Sequence, residues 1–417
     1  MKMNILALMM SAVMFITTGC GVVKKPVELP DKPIIVEDSE IRAVSNEKDT
    51  VTSESVKYLI NAADENMVIS PVSMKGAMAL VALSTEGVTQ EEIIKALGCE
   101  SVDDVSKWYT ELQEYSAKAK DSYDPKVVEI ANAIWLNTDN SLGELHEPYR
   151  KLLESKLGAT SDKGGTVALV DKINAWADEK THGLIKQIVT PETIKESVLA
   201  LSNATYLKGS WAEEFYEIGT KDFKGIDGCA NKKDFVSREV DGKYYKDDSI
   251  ECTTVPIGCG LQMVMAKGDQ TKIFDAMNKM THYDIVHIEM PKMEIESSWE
   301  FKDIKPTLEG AGIKKLFNQN EVEFTQITEG NDALELGTIL QKCKVLTDEK
   351  GIEAAAVTVV AFDFNCAMPE EEPTRAEFIA NELYYFYVYL DSDFYSGNSS
   401  ETDSPYDELL FCGKCVN

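Results

Sequence analysis

Imidazoles are the side chains most often recruited for acid–base and metal chemistry near neutral pH. The chain has four, His146, His182, His282 and His287, and none stands at a metal-ligand spacing with a second ligand on a helix. His282 and His287 flank a strand-like run and read as surface or structural residues. The chain contains neither a Gly-x-Ser-x-Gly elbow nor a Gly-rich phosphate cradle behind a strand. Its 71 Asp and Glu residues make chance pairing of carboxylates certain. Among nine cysteines, Cys412-Gly-Lys-Cys415 has the spacing of redox and zinc pairs. That pair lies in Leu409 to Val416, a strand-like run in which residues three apart point to opposite faces. With Cys99, Cys229, Cys252, Cys259, Cys343 and Cys366, most of these thiols read as small buried hydrophobes. Nothing here specifies catalysis, and no metal or cofactor is implied.

The stretch that remains is Asp348 to Cys366, DEKGIEAAAVTVVAFDFNC. Glu-Ala-Ala-Ala favours helix and Val-Thr-Val-Val-Ala-Phe favours strand, so local propensity is divided. Every second residue from Ile352 gives Ile352, Ala354, Ala356, Thr358, Val360 and Phe362, a set without charge. The complementary set, Glu353, Ala355, Val357, Val359, Ala361 and Asp363, holds both charges. A period of two is what a strand with one buried face requires.

A chain of 417 residues with 44% hydrophobic and 8% aromatic residues has ordinary globular composition and length for a sizeable core. A formal charge of −29 argues against nucleic acid and anionic lipid surfaces as partners, since both would repel it. Residues 1–19 combine Lys2, a short apolar run and a small-residue exit, the pattern of an export signal. Its end, Thr18-Gly19-Cys20, resembles a bacterial lipoprotein signal, which implies lipidation of Cys20 and anchoring at the cell surface; plain secretion is the alternative. Residues 20–53, rich in charge and proline, read as a tether. Membrane contact is expected only through the lipid.

From residue 54 to 417 the pattern is dense and undivided, and one α+β domain is the economical reading. Helices are expected at Ser55 to Ala63, from Pro71 to about Ser84, at Thr89 to Leu97 with Thr89 as N-cap, near Val167 to Glu179 and near Lys302 to Ala311. Strands are expected at Met67 to Ser70, Val127 to Leu136, Ser197 to Leu207, Cys252 to Ile257, Leu261 to Ala266 and Ile285 to Met290. Three more follow at Thr338 to Thr347, Tyr384 to Leu390 and Leu409 to Val416.

Several blocks, in order, resemble the serpin family. NMVISPVSMKGAMALVALSTEGVTQEEIIKALGCE (Asn66 to Glu100) is similar to its opening strand and helix motif, INAWADEKTHGLIKQIV (Ile173 to Val189) to its Asn-x-Trp helix, and LSNATYLKGSWAEEF (Leu201 to Phe215) to its Asn-Ala strand. MPKMEIESSWEFKDIKPTLEGAGIKKLF (Met290 to Phe317) resembles its Pro-Lys strand and the following helix, DEKGIEAAAVTVV the hinge of its reactive loop, and FCGKCVN its terminal strand. The resemblance implies three β-sheets, about eight or nine helices and an exposed reactive-centre loop at about 349–372. It also implies a monomeric, single-use inhibitor with no catalysis of its own. A serine or cysteine protease attacks the loop, and the cut loop inserts into the central sheet before the acyl-enzyme hydrolyses. A non-inhibitory binding or scaffold module of the same fold is the other reading.

Residue by residue, the resemblance places the loop hinge at Glu349, Gly351, Ile352, Glu353, Ala354, Ala355, Ala356 and Thr358. It places the reactive bond at Asn365 and Cys366, with Phe364 and Met368 as alternatives. Ser70, Ser73, Asn203 and Gln341 match a polar cluster beneath the opening sheet, Gln341 standing where the family usually has histidine. Trp211 matches the aromatic residue above that opening, and Lys292 matches the partner of Glu349 in an ion pair. Helix Ser101 to Lys120 has no basic face, so no polyanion cofactor is expected.

Overall fold

A twelve-residue stretch that is apolar nearly all round, PVSMKGAMALVA, forms helix α2 (Pro71–Ala82) and is buried at every position. A helix without a polar face has to be wrapped on all sides, and α2 packs against both large sheets of the fold. Ser70 caps it, accepting from Ser73 N, and Pro71 occupies the first turn, where its missing N–H costs nothing.

In this computed structural model the described residues are 49–62, 65–120, 127–140, 144–258, 261–299, 301–318, 321–324, 327–329, 336–352, 372–390 and 408–417. They carry nine helices: α1 (Thr50–Asn61), α2, α3 (Gly87–Ala96), α4 (Val102–Lys120), α5 (Glu147–Leu157), α6 (Thr166–Lys180), α7 (Pro191–Ile194), α8 (Ile273–Lys279) and α9 (Phe301–Gly310).

Three sheets accompany them, in a mixed α+β arrangement. The first has the order β11 (Met293–Trp299), β13 (Leu336–Thr347), β14 (Gly351–Ile352), β5 (Leu199–Ser210), β2 (Val127–Asn137), β4 (Thr160–Gly164). The second runs β1 (Met67–Ile69), β17 (Glu408–Cys415), β16 (Tyr384–Leu390), β9 (Leu261–Gly268), β8 (Ile250–Ile257), β7 (Ala230–Lys246), β10 (Thr281–Pro291), β15 (Arg375–Ile379), with β6 (Tyr216–Lys224) beside β7. A third, minor sheet joins β3 (Glu144–Leu145) to β12 (Thr328–Glu329).

Helix α6 covers one face of the first sheet through Leu169, Ile173, Trp176 and Ala177, which meet Ala133, Trp135, Ala200, Ala204 and Leu340. Trp135 and Trp176 meet edge to face at 6.0 Å. The opposite face turns toward α2 and the second sheet.

Three expectations need correction. Helix α1 begins at Thr50, capped by Asp49, rather than at Ser55. Helix α3 is entered through Glu86, not Thr89; Thr89 lies inside it, and its hydroxyl accepts from Glu323 N at 3.3 Å instead. The long ribbon β6–β7 was not legible, because β6 buries only Phe223 and the run of buried residues Phe235 to Ser237 in β7 breaks the alternation.

Candidate functional site

Strands β13 and β5 run parallel and pair from Leu336 opposite Leu199 to Gln341 opposite Asn203. Beyond that point, among the described residues, 342–346 of β13 and 204–208 of β5 do not pair with each other. At the far end a two-residue strand closes the gap: Ile352 pairs with Thr347 on one side and Gly209 on the other, and Gly351 with Ser210. The sheet is therefore parted in the middle, with the first turn of the following segment already seated in the opening.

That seat is built tightly. Asp348 Oδ1 accepts from Lys350 N at 2.7 Å and from Gly351 N at 3.2 Å, folding the chain back on itself. Trp211 donates its backbone N–H to Lys350 O at 2.9 Å and its indole N–H to Asp348 O at 2.8 Å. Phe215 N donates to Glu349 O at 2.8 Å. Gly351 has no room for a side chain, since a Cβ there would lie 2.1 Å from Gly209 O and 2.8 Å from Ser210 Cα. Ile352 is 2% exposed and joins the core cluster that holds Leu207, Ile295, Cys343 and Val345.

Lys292 Nζ reaches Glu349 Oε2 at 2.7 Å and Glu217 Oε1 at 2.5 Å. The Lys292 ammonium beside it holds the Glu349 carboxyl below its usual range, and the two carboxylates, Glu217 first, raise Lys292. Both members of the Lys292–Glu349 pair stay about a quarter exposed, so the pair contributes only ~0 to 1 kcal/mol. Its value is to fix where Glu349 sits.

Under the point where β13 and β5 separate lies a buried polar cluster. Gln341 clasps Ser70 both ways: its Nε2 donates to Ser70 O at 3.0 Å and its Oε1 accepts from Ser70 N at 3.4 Å. Ser70 Oγ donates to Leu410 O at 2.7 Å. The Ser73 hydroxyl donates to Asn203 Oδ1, and Asn203 Nδ2 donates to Asn132 Oδ1 at 2.5 Å. Gly76 leaves room for this network, because a Cβ there would sit 2.8 Å from Asn132 Nδ2 and displace its amide.

Ser70, Ser73, Asn203 and Gln341 thus form one network, while Glu349, Gly351, Ile352, Trp211 and Lys292 form a second at the other end of the opening. Glu353, Ala354, Ala355, Ala356, Thr358, Phe364, Asn365, Cys366, Met368 and Cys20 lie outside the described residues. Asn132, Gly76, Asp348 and Glu217 were missed from sequence; a lone Asn inside the apolar run IANAIW was the available signal.

The two thiols of Cys412-Gly-Lys-Cys415 are free and buried, and they face different core clusters. Burial raises both thiols, Cys412 well above an ordinary one. Cys229 is exposed, unlike the expectation for most cysteines. His282 is exposed and His287 half-buried, each facing carboxylates on its surface.

The family model for serpins (serine protease inhibitors) matches residues 47–417. The chain belongs to the serpin family. Serpins are in general protease inhibitors rather than enzymes. Serpin-Z10 of Arabidopsis thaliana is 27% identical over 376 residues, covering 83% of this chain and 94% of the relative. A leukocyte elastase inhibitor of Xenopus laevis is 28% identical over 341 residues, covering 75% and 87%. Among solved structures, Serpin48 of the insect Tenebrio molitor superposes with a TM-score of 0.70 at 21% identity, covering 91% of this chain and 97% of that one. Such a likeness speaks for the fold alone.

Proposed function

We propose that this serpin traps a serine or cysteine protease as a covalent acyl-enzyme, by inserting its cleaved loop between β13 and β5. One observation carries the reading. Ile352 already stands opposite Thr347 and Gly209, so continuing the same antiparallel register sets each later residue against known neighbours. Ala354 would lie between Val345 and Leu207, Ala356 between Cys343 and Thr205, and Thr358 between Gln341 and Asn203. Those flanking residues are all buried. The uncharged set therefore faces inward, and its single polar member arrives at the polar cluster.

Roughly a dozen residues of new ladder, at about 0.5–1.5 kcal/mol per hydrogen bond, would release on the order of 10 kcal/mol. That is enough to drive a large displacement. Strand addition of this kind and the release of stored strain are general modes of switching.

The non-inhibitory reading rests on Ile352, which is large and β-branched where inhibitory members usually carry Thr or Ser. Its side chain is already accommodated in the core cluster of the second sheet, so its bulk is no obstacle to the first step. Inhibition is the stronger reading.

The bait is Asn365–Cys366, or a bond displaced to Phe364 or Met368. The protein acts as a monomer at the cell surface, anchored through Cys20, or as a secreted one. Incubation with chymotrypsin, subtilisin, an asparagine-specific cysteine protease and papain is the test. A complex that survives detergent, with release of the C-terminal peptide, supports the proposal. Loop cleavage without complex and without gain in thermal stability refutes it.

A further inference from the structure

Helix α2 carries one charged residue, Lys75, and it is buried with a side-chain exposure of 6%. Its ammonium lies 2.7 Å from Glu408 Oε1 and 3.0 Å from Asp49 Oδ2, both carboxylates being largely buried as well. Trp108 of α4 closes the group: its ring lies over Lys75 Nζ at 4.5 Å, and its indole N–H donates to Glu408 Oε2 at 2.9 Å. None of these four residues belongs to the hinge or to the polar cluster under the sheet.

Glu408 and Trp108 belong to elements on opposite sides of the opening, with Lys75 between them on α2, which packs against both sides. Glu408 begins β17, which pairs with β1, and β1 is tied to β11 through Val68 N, donating to Ser297 Oγ at 3.0 Å. Those elements stay with β13, the partner of β11. Helix α4 rides instead on β2: Tyr109 donates its hydroxyl to Ile130 O at 3.2 Å and accepts from Asn132 Nδ2 at 2.8 Å. Strand β2 pairs with β5 over ten residue pairs, Val127–Leu136 against Leu199–Lys208, so α4, β2 and β5 move as one when β5 leaves β13. The Trp108–Glu408 bond therefore spans the boundary along which the sheet has to part.

We propose that Trp108 and Lys75 are positioning residues, a latch that restrains α4, β2 and β5 against β17 and so sets the rate of loop insertion. The inference rests on the inhibitory reading for its consequence in trapping, but not for its physical content. A charge-assisted hydrogen bond and a cation held over an aromatic face are among the stronger polar contacts available to a buried site. Both have to slip or break as the strands separate. Lys75→Met would leave two buried carboxylates without a cation and is expected to lower the stability of the whole fold. Trp108→Phe is the cleaner probe, because it keeps a ring over Lys75 and both ion pairs while removing the indole donor.

The experiment is amide hydrogen exchange of the full chain, without protease, in wild type and Trp108→Phe. Exchange in 199–203 and 336–341, the paired ends of β5 and β13, is expected to quicken about tenfold, the scale of one hydrogen bond to a charged acceptor. Strand β16 is expected to keep its wild-type rate. Unchanged exchange at β5 and β13, or an equal rise in β16, overturns the latch. In the trapping assay the variant is expected to yield a larger fraction of covalent complex, because insertion then outpaces hydrolysis. If exchange responds and neither protein traps any protease, the inhibitory reading falls and the latch stands.

Discussion

If Ile352 sets the register, a carboxylate at residue 354 should impair insertion and one at residue 355 should not. Continuing from Ile352 opposite Thr347 and Gly209, residue 354 comes to lie between Val345 and Leu207, which are 3% and 5% exposed. Residue 355 comes to lie between Lys344 and Tyr206 on the other face, where the Lys344 ammonium already sits among Glu294 and Glu296. An unpaired carboxylate buried at 354 costs about 3–5 kcal/mol in the inserted state. If half of that is felt at the transition state for insertion, Ala354→Glu slows insertion roughly 10- to 70-fold, and the protease completes hydrolysis first. Ala355→Glu leaves insertion within a few-fold of wild type. The assay is the ratio of detergent-stable complex to cleaved serpin at equal protease dose. Ala354→Glu is expected to give almost only cleaved product and Ala355→Glu a normal ratio. Equal behaviour of the two variants, or the reverse order, would refute the assigned face.

Two further outcomes follow from the hinge. Gly351→Ala forces a Cβ against the backbone of Gly209 and Ser210, which no side-chain rotation relieves; the seated turn should come out of the sheet, with a loss of about 1–3 kcal/mol on denaturant unfolding and faster proteolysis after Lys350. An unchanged midpoint would show that the close approach does not matter. The second outcome concerns acid. The folded-state pKa of Glu349 is depressed by Lys292, so the pair's contribution is complete above the ordinary glutamate range. It is lost as pH falls through the depressed value, below about pH 4. Exchange of the amides of 349–352 should rise in that window by no more than about fivefold, the equivalent of ~1 kcal/mol, and Lys292→Met should abolish the rise.

How much of the site was legible depended on the range of the interaction involved. The uncharged alternating set from Ile352 to Phe362 was visible because alternation is a property of neighbours in the chain. Ser70, Ser73, Asn203 and Gln341 were reached only through resemblance, since hydrogen bonds between residues 130 and 271 positions apart leave no local mark. Asn132 stood in plain view as an Asn inside an apolar strand, yet nothing local says whether such a residue meets water or another amide. Lys75 was harder still. On a helix otherwise made of small and apolar residues it reads as the solvent edge, and only the return of Glu408 from the far end of the chain makes its burial tolerable.

The order of residues alone determined the class of fold, the acidic surface, the two-residue period of the loop and the small side chains that follow Gly351. These are local or compositional properties, carried by each segment wherever it lies. The tertiary structure decided where Gly351 and Ile352 pair and where the central sheet stops pairing, at Gln341 and Asn203. Both depend on strands more than a hundred residues apart competing for the same backbone hydrogen bonds. That competition has no trace in either strand by itself, and here two residues, Gly351 and Ile352, already occupy the place left open.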